Sequence, residues 1–219
     1  MKNYQRDFIK FALEKNVIQF GDFTLKSGRR SPYFFNMGLF NTGSDILKLA
    51  KFYAKALQDS TAEYDVLFGP AYKGIPLASA TSLILSQNYQ KNIGVCYNRK
   101  EKKNHGEGGD LVGYPLADKK VVIIDDVITA GTAIIEAIKI IQQADNASLA
   151  GIIIALDRME QAPDSNLSTI DKIQQQYNTK IITIITLKDI INYLPTSDIH
   201  KSILQNHLDK NNTATALPI

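Results

Sequence analysis

The sequence predicts an α/β fold with a mostly parallel central sheet flanked by helices. Short uninterrupted apolar runs recur at residues 66–68, 121–124, 151–156 and 181–186, and helical periodicities lie between them. Strands that are apolar on both faces need cover on both sides, and parallel strands need crossover helices to join them. The chain has 219 residues, 44% hydrophobic and 21% charged, which suits a globular protein with a substantial core. A single domain over residues 1–219 is expected, or one domain with a small appendage.

Phe8, Ile9, Phe11, Ala12 and Leu13 gather at helical spacing, so the chain opens on a helix, with Gly21 as its breaker. Apolar, aromatic-rich segments around Phe23 and Phe34 flank Ser27-Gly28, which predicts a hairpin. A helix is expected over 44–57, with Ser44 as N-cap. Strand 66–68 leads through a Gly-Pro loop to a helix over 75–87, and 93–97 is a further strand. Residues 99–113 are polar and glycine-rich, too long for a tight turn, and read as a lid or binding loop. Strand 121–124 is followed by a helix over 133–144, then strand 151–156, a helix near 168–177 and strand 181–186. The tail at 211–219 is expected to be disordered. No internal repeat is present.

Composition narrows the function classes. The formal net charge of +3, from 25 basic and 22 acidic residues, is too small to form a nucleic-acid footprint by itself. Cys96 is the only cysteine, so an intrachain disulfide is excluded; at the end of an apolar strand it reads as a packed core thiol. No apolar run approaches a signal core or a membrane span, and the cytoplasm is the expected location. His200 and His207 lie outside every motif and read as surface residues.

The strongest chemical signal is Val121-Val122-Ile123-Ile124-Asp125-Asp126-Val127-Ile128-Thr129-Ala130-Gly131-Thr132-Ala133. A buried strand delivers two adjacent carboxylates to its carboxyl end, and a small-residue loop opens a helix. Thr129, Ala130, Gly131 and Thr132 keep side chains out of the way, so backbone N–H groups and the helix dipole can hold a phosphate. Two carboxylates repel a phosphate unless they face something cationic or hydroxylated; a ribose diol or hydrated Mg²⁺ suits them. The plainer alternative makes the aspartates solvent-facing residues that start the helix. In parallel sheets, ligands sit at the carboxyl ends of the strands, where this motif lies.

Two further segments point to the same edge. Arg99-Lys100-Glu101-Lys102-Lys103-Asn104-His105-Gly106-Glu107-Gly108-Gly109 holds a run of cations followed by hinge glycines. Such a loop can close over a polyanion and neutralise charge on a leaving pyrophosphate; a solvated surface run is the plainer reading. Gly69-Pro70-Ala71-Tyr72-Lys73-Gly74 leaves strand 66–68, permits close backbone approach and offers Lys73 to a phosphate.

Taken together these segments resemble the type I phosphoribosyltransferases. The match extends to Phe23-Thr24-Leu25-Lys26-Ser27-Gly28-Arg29, Ser31-Pro32-Tyr33-Phe34-Phe35-Asn36, Asn98-Arg99-Lys100-Glu101 and Leu156-Asp157-Arg158. The Asp-Asp motif marks the superfamily; the hairpin, lid and Arg158 together resemble its orotate branch, of bacterial type. The resemblance implies the type I phosphoribosyltransferase fold with a small N-terminal hood contributed by residues 1–40, acting on phosphoribosyl pyrophosphate and orotate. It implies that Asp125 and Asp126 hold the ribose hydroxyls, while Thr129, Ala130, Gly131, Thr132 and Ala133 bind the 5-phosphate and Val127 and Ile128 belong to the same substrate-binding segment. Tyr72, Lys73 and Lys26 would meet the pyrophosphate; Arg99, Lys100, Lys103 and His105 would close over it, with Lys103 the chief leaving-group stabiliser. Phe34, Phe35, Thr129 and Arg158 would recognise orotate: a flat ring stacks on an aromatic face, and a guanidinium pairs with a carboxylate or ring carbonyl. Mg²⁺ is implied as cofactor, held mainly through substrate oxygens and water rather than by protein ligands. A homodimer with the lid shared across its interface is implied too; nucleic acid and membrane are not expected partners.

Two rival readings differ in class. A related enzyme acting on another base would lack a use for Phe34, Phe35 and Arg158. A non-catalytic regulator that binds RNA or DNA would show a basic stripe, which the nearly balanced charge disfavours.

Overall fold

Val66–Phe68, Val121–Ile124 and Ile152–Leu156 are all essentially inaccessible to solvent, because each strand is covered on both faces. In the computed structural model, which describes residues 1–25, 28–103, 109–162 and 165–213, these runs lie at the centre of a six-stranded sheet. The chain order is α1 (Asn3–Glu14), β1 (Ile18–Thr24), β2 (Arg30–Phe35), a short 3-10 turn, α2 (Gly43–Asp59), β3 (Val66–Phe68) and α3 (Gly74–Tyr89). Then come β4 (Gly94–Lys103), β5 (Gly109–Gly113), β6 (Lys120–Ile124), α4 (Thr132–Gln143), β7 (Ser148–Asp157), α5 (Thr169–Tyr177), β8 (Ile181–Thr186), α6 (Leu187–Tyr193) and α7 (Ile199–Thr213). The sheet order is β5-β4-β3-β6-β7-β8, parallel throughout except for the antiparallel β4–β5 pair.

Alternation along the strands sorts the core into two layers. Leu67, Val122, Ile124, Ile153 and Ala155 pack beneath α1, α2, α3, α6 and α7. Val66, Phe68, Val121, Ile123, Ile152 and Ile154 face α4 and α5. Because β3, β6 and β7 are parallel and in register, Phe68 beside Ile123 and Ile124 beside Ile153, their following loops leave from one edge. The candidate site lies along that edge.

Several local expectations are corrected. Gly21 does not end the first helix; it lies within β1, at an irregularity in the β1–β2 pairing. Asn16 ends the helix, in a left-handed conformation, with Asn16 N–H donating to Leu13 and Val17 N–H to Ala12. Helix α2 is capped by Thr42, whose hydroxyl accepts from Asp45 N–H, rather than by Ser44. The expected 99–113 loop is two arms of an antiparallel ribbon, with Cys96, Tyr97 and Asn98 opposite Gly113, Val112 and Leu111. An edge ribbon can be polar on both faces and still hydrogen-bond its backbone, so its charge disguised it as a loop. The expected tail is helical as far as Thr213; 214–219 lie outside the described residues. No expectation from the sequence covers helices α6 and α7.

Cys96 is buried, and that burial pushes its thiol up to about 11, as a packed core residue requires. Among the described residues no helix is long and apolar enough to cross a membrane.

Candidate functional site

Strand β6 ends by presenting Asp125 and Asp126, and their backbone is pinned on both sides. Asp125 N–H donates to Ile153 C=O (3.0 Å), Ala155 N–H donates to Asp126 C=O (2.9 Å), and the buried Tyr53 hydroxyl donates to Asp125 C=O (2.8 Å). Both aspartates are buried, 9% and 7% exposed, which removes the reading of them as solvent-facing residues that start a helix. Asp125 Oδ1 accepts from Asp126 N–H, and Asp126 Oδ1 accepts from Val127 N–H. Lys73 Nζ lies 2.5 Å from Asp126 Oδ2 and reaches it from the loop after β3.

Burial raises the Asp125 carboxyl from its ordinary 3.8 to about 7; the Asp126 charge adds to this, while the Asp126 N–H and Lys73 pull the other way. In the unfolded chain the group titrates near its ordinary value, so between those limits the folded chain binds the extra proton. The stability this group contributes is therefore full below about pH 4 and lost as pH rises through about 7. Asp125→Asn carries no such proton. The melting temperature of this variant minus that of the wild type, both without ligand, should be more positive at about pH 8 than at about pH 5. Equal differences at the two pH values would mean that Asp125 is not held protonated.

Beyond the aspartates, Ile128 is buried while Thr129, Ala130, Thr132 and Ala133 are exposed. Gly131 is the N-cap of α4, with φ +79 and no side chain to cap the first turn. The first N–H groups of a helix have no intrahelical acceptor, so this end is available to an anion. A Cβ at Gly131 would meet Ile173 Cδ1 at 3.0 Å, so its hydrogen faces α5 and the loop's outer surface stays bare.

The loop after β3 is built on a close backbone crossing. A Cβ on Gly69 would lie 2.1 Å from Gly74 C=O, and one on Gly74 would lie 2.7 Å from the Gly69 carbonyl carbon. Only glycine fits either position. Ala71 N–H donates to Asn98 Oδ1 (2.9 Å), which ties this loop to the root of the β4–β5 ribbon. Tyr72 is exposed, and Lys100 Nζ stands 5.8 Å from the centre of its ring. Arg99 is half-buried on β4. Lys103 ends β4 opposite Gly109. Its side chain, together with Lys26 and His105, lies outside the described residues.

The other end of the site is aromatic and cationic. Adjacent strand residues point to opposite faces, so Phe34 is 37% exposed while Phe35 is 7% exposed. Phe34 is the face open to stacking; Phe35 belongs to the core beneath it. Arg158, only 6% exposed, follows β7. Its Nε and Nη2 lie 2.8 and 2.7 Å from Glu160 Oε1, its Nη2 donates to Ser31 Oγ (3.1 Å), and its Cζ sits 4.4 Å from the Tyr33 ring centre. Among the described residues Nη1 has no protein partner, and it is the nitrogen left for a ligand.

A cavity of about 570 Å³ joins the two ends. It brings together Phe34, Phe35, Lys73, Asp125, Asp126, Val127, Ile128, Thr129, Ala130, Ala133 and Arg158. Tyr72, Arg99, Lys100, Gly131 and Thr132 are not among its lining residues. Sequence reasoning gave no role to Arg29, Asp157, Glu160 and Gln161, which also line it. Arg29 closes one side by donating from Nη1 to Gln161 C=O (2.7 Å). A wider cleft of about 840 Å³ lies between the β1–β2 hairpin and α7, away from the aspartates. Among the described residues no group of three or more His, Cys, Asp or Glu is placed to hold a metal ion. Asp126 is already engaged by Lys73 and Val127, so a divalent ion here must bring most of its oxygens from elsewhere.

A profile of the phosphoribosyl transferase domain matches residues 40–184. An orotate phosphoribosyltransferase of Pseudoalteromonas translucida is 54% identical over 213 residues, covering 96% of this chain and 98% of the relative. One from Shigella sonnei is 59% identical over 194 residues, with 89% and 90% covered. The crystal structure of an orotate phosphoribosyltransferase from Francisella tularensis superposes with a TM-score of 0.83 at 43% identity, covering 93% of this chain and 98% of that one.

Proposed function

The chain belongs to the phosphoribosyl transferase family, and from that premise we infer that its site transfers a phosphoribosyl group to orotate. The reaction takes 5-phospho-α-D-ribose 1-diphosphate and orotate to orotidine 5′-phosphate and pyrophosphate, a step of pyrimidine biosynthesis. The observation that carries it is the single cavity with a carboxylate-and-cradle end and an aromatic–arginine end. A protein that joins a sugar phosphate to a flat anionic base needs both ends within reach of one anomeric carbon.

Asp125 and Asp126 hold the ribose hydroxyls, and the residues from Thr129 to Ala133 cup the 5-phosphate with backbone N–H groups, while the Val127 N–H stays on Asp126 Oδ1. Lys73 neutralises Asp126 in the absence of ligand and is close enough to turn to the pyrophosphate, with Tyr72 and Lys26. Orotate stacks on Phe34 above Phe35, beside Thr129, and meets Arg158 through Nη1. As the bond at C1 lengthens, the sugar gains oxocarbenium character and the pyrophosphate gains charge. Arg99, Lys100, Lys103 and His105 supply cations to that leaving group, with Lys103 the chief stabiliser. Mg²⁺, bound with the substrate through its oxygens and water, would neutralise part of the pyrophosphate charge, with Asp125 and Asp126 facing it through water or ribose hydroxyls. Residues 1–40 act as a hood that carries the base face, the chain works as a homodimer, and the cytoplasm is its place.

Protein mixed with Mg²⁺, phosphoribosyl pyrophosphate and orotate should consume the orotate absorbance and release pyrophosphate. Turnover of a purine base in preference to orotate would overturn this reading. Arg158→Ala should raise the KM for orotate about tenfold or more, the value of a lost charged hydrogen bond, and leave that for phosphoribosyl pyrophosphate within about twofold. Equal changes in both constants would put Arg158 on the sugar or the scaffold instead.

A further inference from the structure

We propose that His207, on the C-terminal helix α7, is a positioning residue for orotate: with Glu160 and Tyr33 it fixes the guanidinium of Arg158. The proposal rests on the reading of Arg158 as a base contact. A lone buried arginine has several rotamers and pays for each one lost on binding. Arg158 is held on three sides before a ligand arrives. Glu160 takes the Nε–Nη2 edge, Ser31 takes Nη2 again, and Tyr33 lies against the plane.

Those supports meet α7. His207 Nε2 is 4.0 Å from Glu160 Oε1 and 3.4 Å from Asn211 Nδ2, and the His207 ring stands edge-on to Tyr33 with centroids 6.3 Å apart at 80°. The Glu160 and His207 side chains are only 15% and 17% exposed, so their interaction is weakly screened. Burial alone would push the Glu160 carboxyl up; His207 and Arg158 outweigh it and keep the group ionised below its ordinary range. One carboxylate thus stands between the Arg158 guanidinium and the His207 imidazole, and removing either loosens the other. The helix does not depend on His207 for its place, because the buried Leu204 and Leu208 anchor it.

The test is a kinetic cycle on the whole protein, with melting temperature and near-UV circular dichroism recorded for each variant. His207→Ala should raise the KM for orotate about three- to tenfold while kcat and the KM for phosphoribosyl pyrophosphate stay within about twofold, and His207→Gln should restore most of the loss. Adding His207→Ala to Arg158→Ala should change the orotate KM by less than about twofold, because residues acting through one group are not additive. Should His207→Ala fail to fold, His207→Leu and Glu160→Gln carry the same comparison. Multiplying effects in the double variant, equal shifts in both constants, or an unchanged orotate KM would each overturn the positioning role. If Arg158→Ala itself leaves the orotate KM unchanged, the base reading of Arg158 fails first and takes this proposal with it.

Discussion

Gly131→Val is expected to weaken phosphoribosyl pyrophosphate binding at least tenfold, about 1.4 kcal/mol. The sequence suggests that a bulky residue here would occupy the phosphate position. The structure gives a different cause. The backbone at Gly131 is left-handed, which costs an L residue about 1–2 kcal/mol, and a Cβ would press on Ile173 Cδ1 at 3.0 Å. The side chain would therefore wedge the loop away from α5, and the N–H groups of Thr132 and Ala133 would move with it. Gly131→Ala should fall between wild type and valine, since it carries the backbone strain without the branched methyls. Calorimetric titration of each folded variant decides: an unchanged affinity in Gly131→Val would remove the cradle, whatever happens to stability.

The strands and the carboxylate motif were legible because burial on both faces leaves one signature, continuous apolar runs. Val66–Phe68 and Ile181–Thr186 are strands at the bounds that the runs define. Other elements lack that signature. On α7 the buried residues are Leu204 and Leu208, while Ile199 and Ile203 are exposed at 67% and 43%, so its apolar pattern gives no single face. Helix α6 did carry a signal, the reciprocal cap between Thr186 and Asp189, with no apolar run long enough to draw attention to it. Glu160 stands two residues from Arg158, past the end of β7 and past Met159 in a left-handed conformation, φ 53, where the strand period no longer applies, so spacing alone gives it no role. His207 reads as surface for a different reason: its partners come from β2 and the segment after β7, far away in sequence. Long-range packing hid most supports of the proposed base site, while local strand-to-helix chemistry displayed the proposed phosphate site.

Lys103→Ala is expected to lower turnover by about two orders of magnitude or more, as the loss of one donor to developing charge commonly does, with little change in substrate affinity. The reason is position. Strand β4 pairs with β3 only as far as Cys96, so residues 97–103 run on past that partner, roughly 20 Å at strand rise. The ribbon also stands at the sheet edge, with β3 between β4 and the aspartates of β6. In the proposed homodimer, a cation at the end of such an arm has two candidate cradles, its own and its neighbour's. If the arm crosses, the defect can be complemented. Chains carrying Lys103→Ala, mixed with chains carrying Asp125→Asn and Asp126→Asn, would form hybrid dimers in which one of the two sites combines an intact arm with intact carboxylates. Two inactive parents would then regain up to about a quarter of wild-type activity, since hybrids are about half of a random mixture and half their sites are whole. An arm that serves its own chain leaves every site with one defect. Subunit exchange is verified first, by native mass or by a size tag on one parent. Verified hybrids without recovered activity would place the arm over its own cradle and leave Lys103 as the charge stabiliser within one chain.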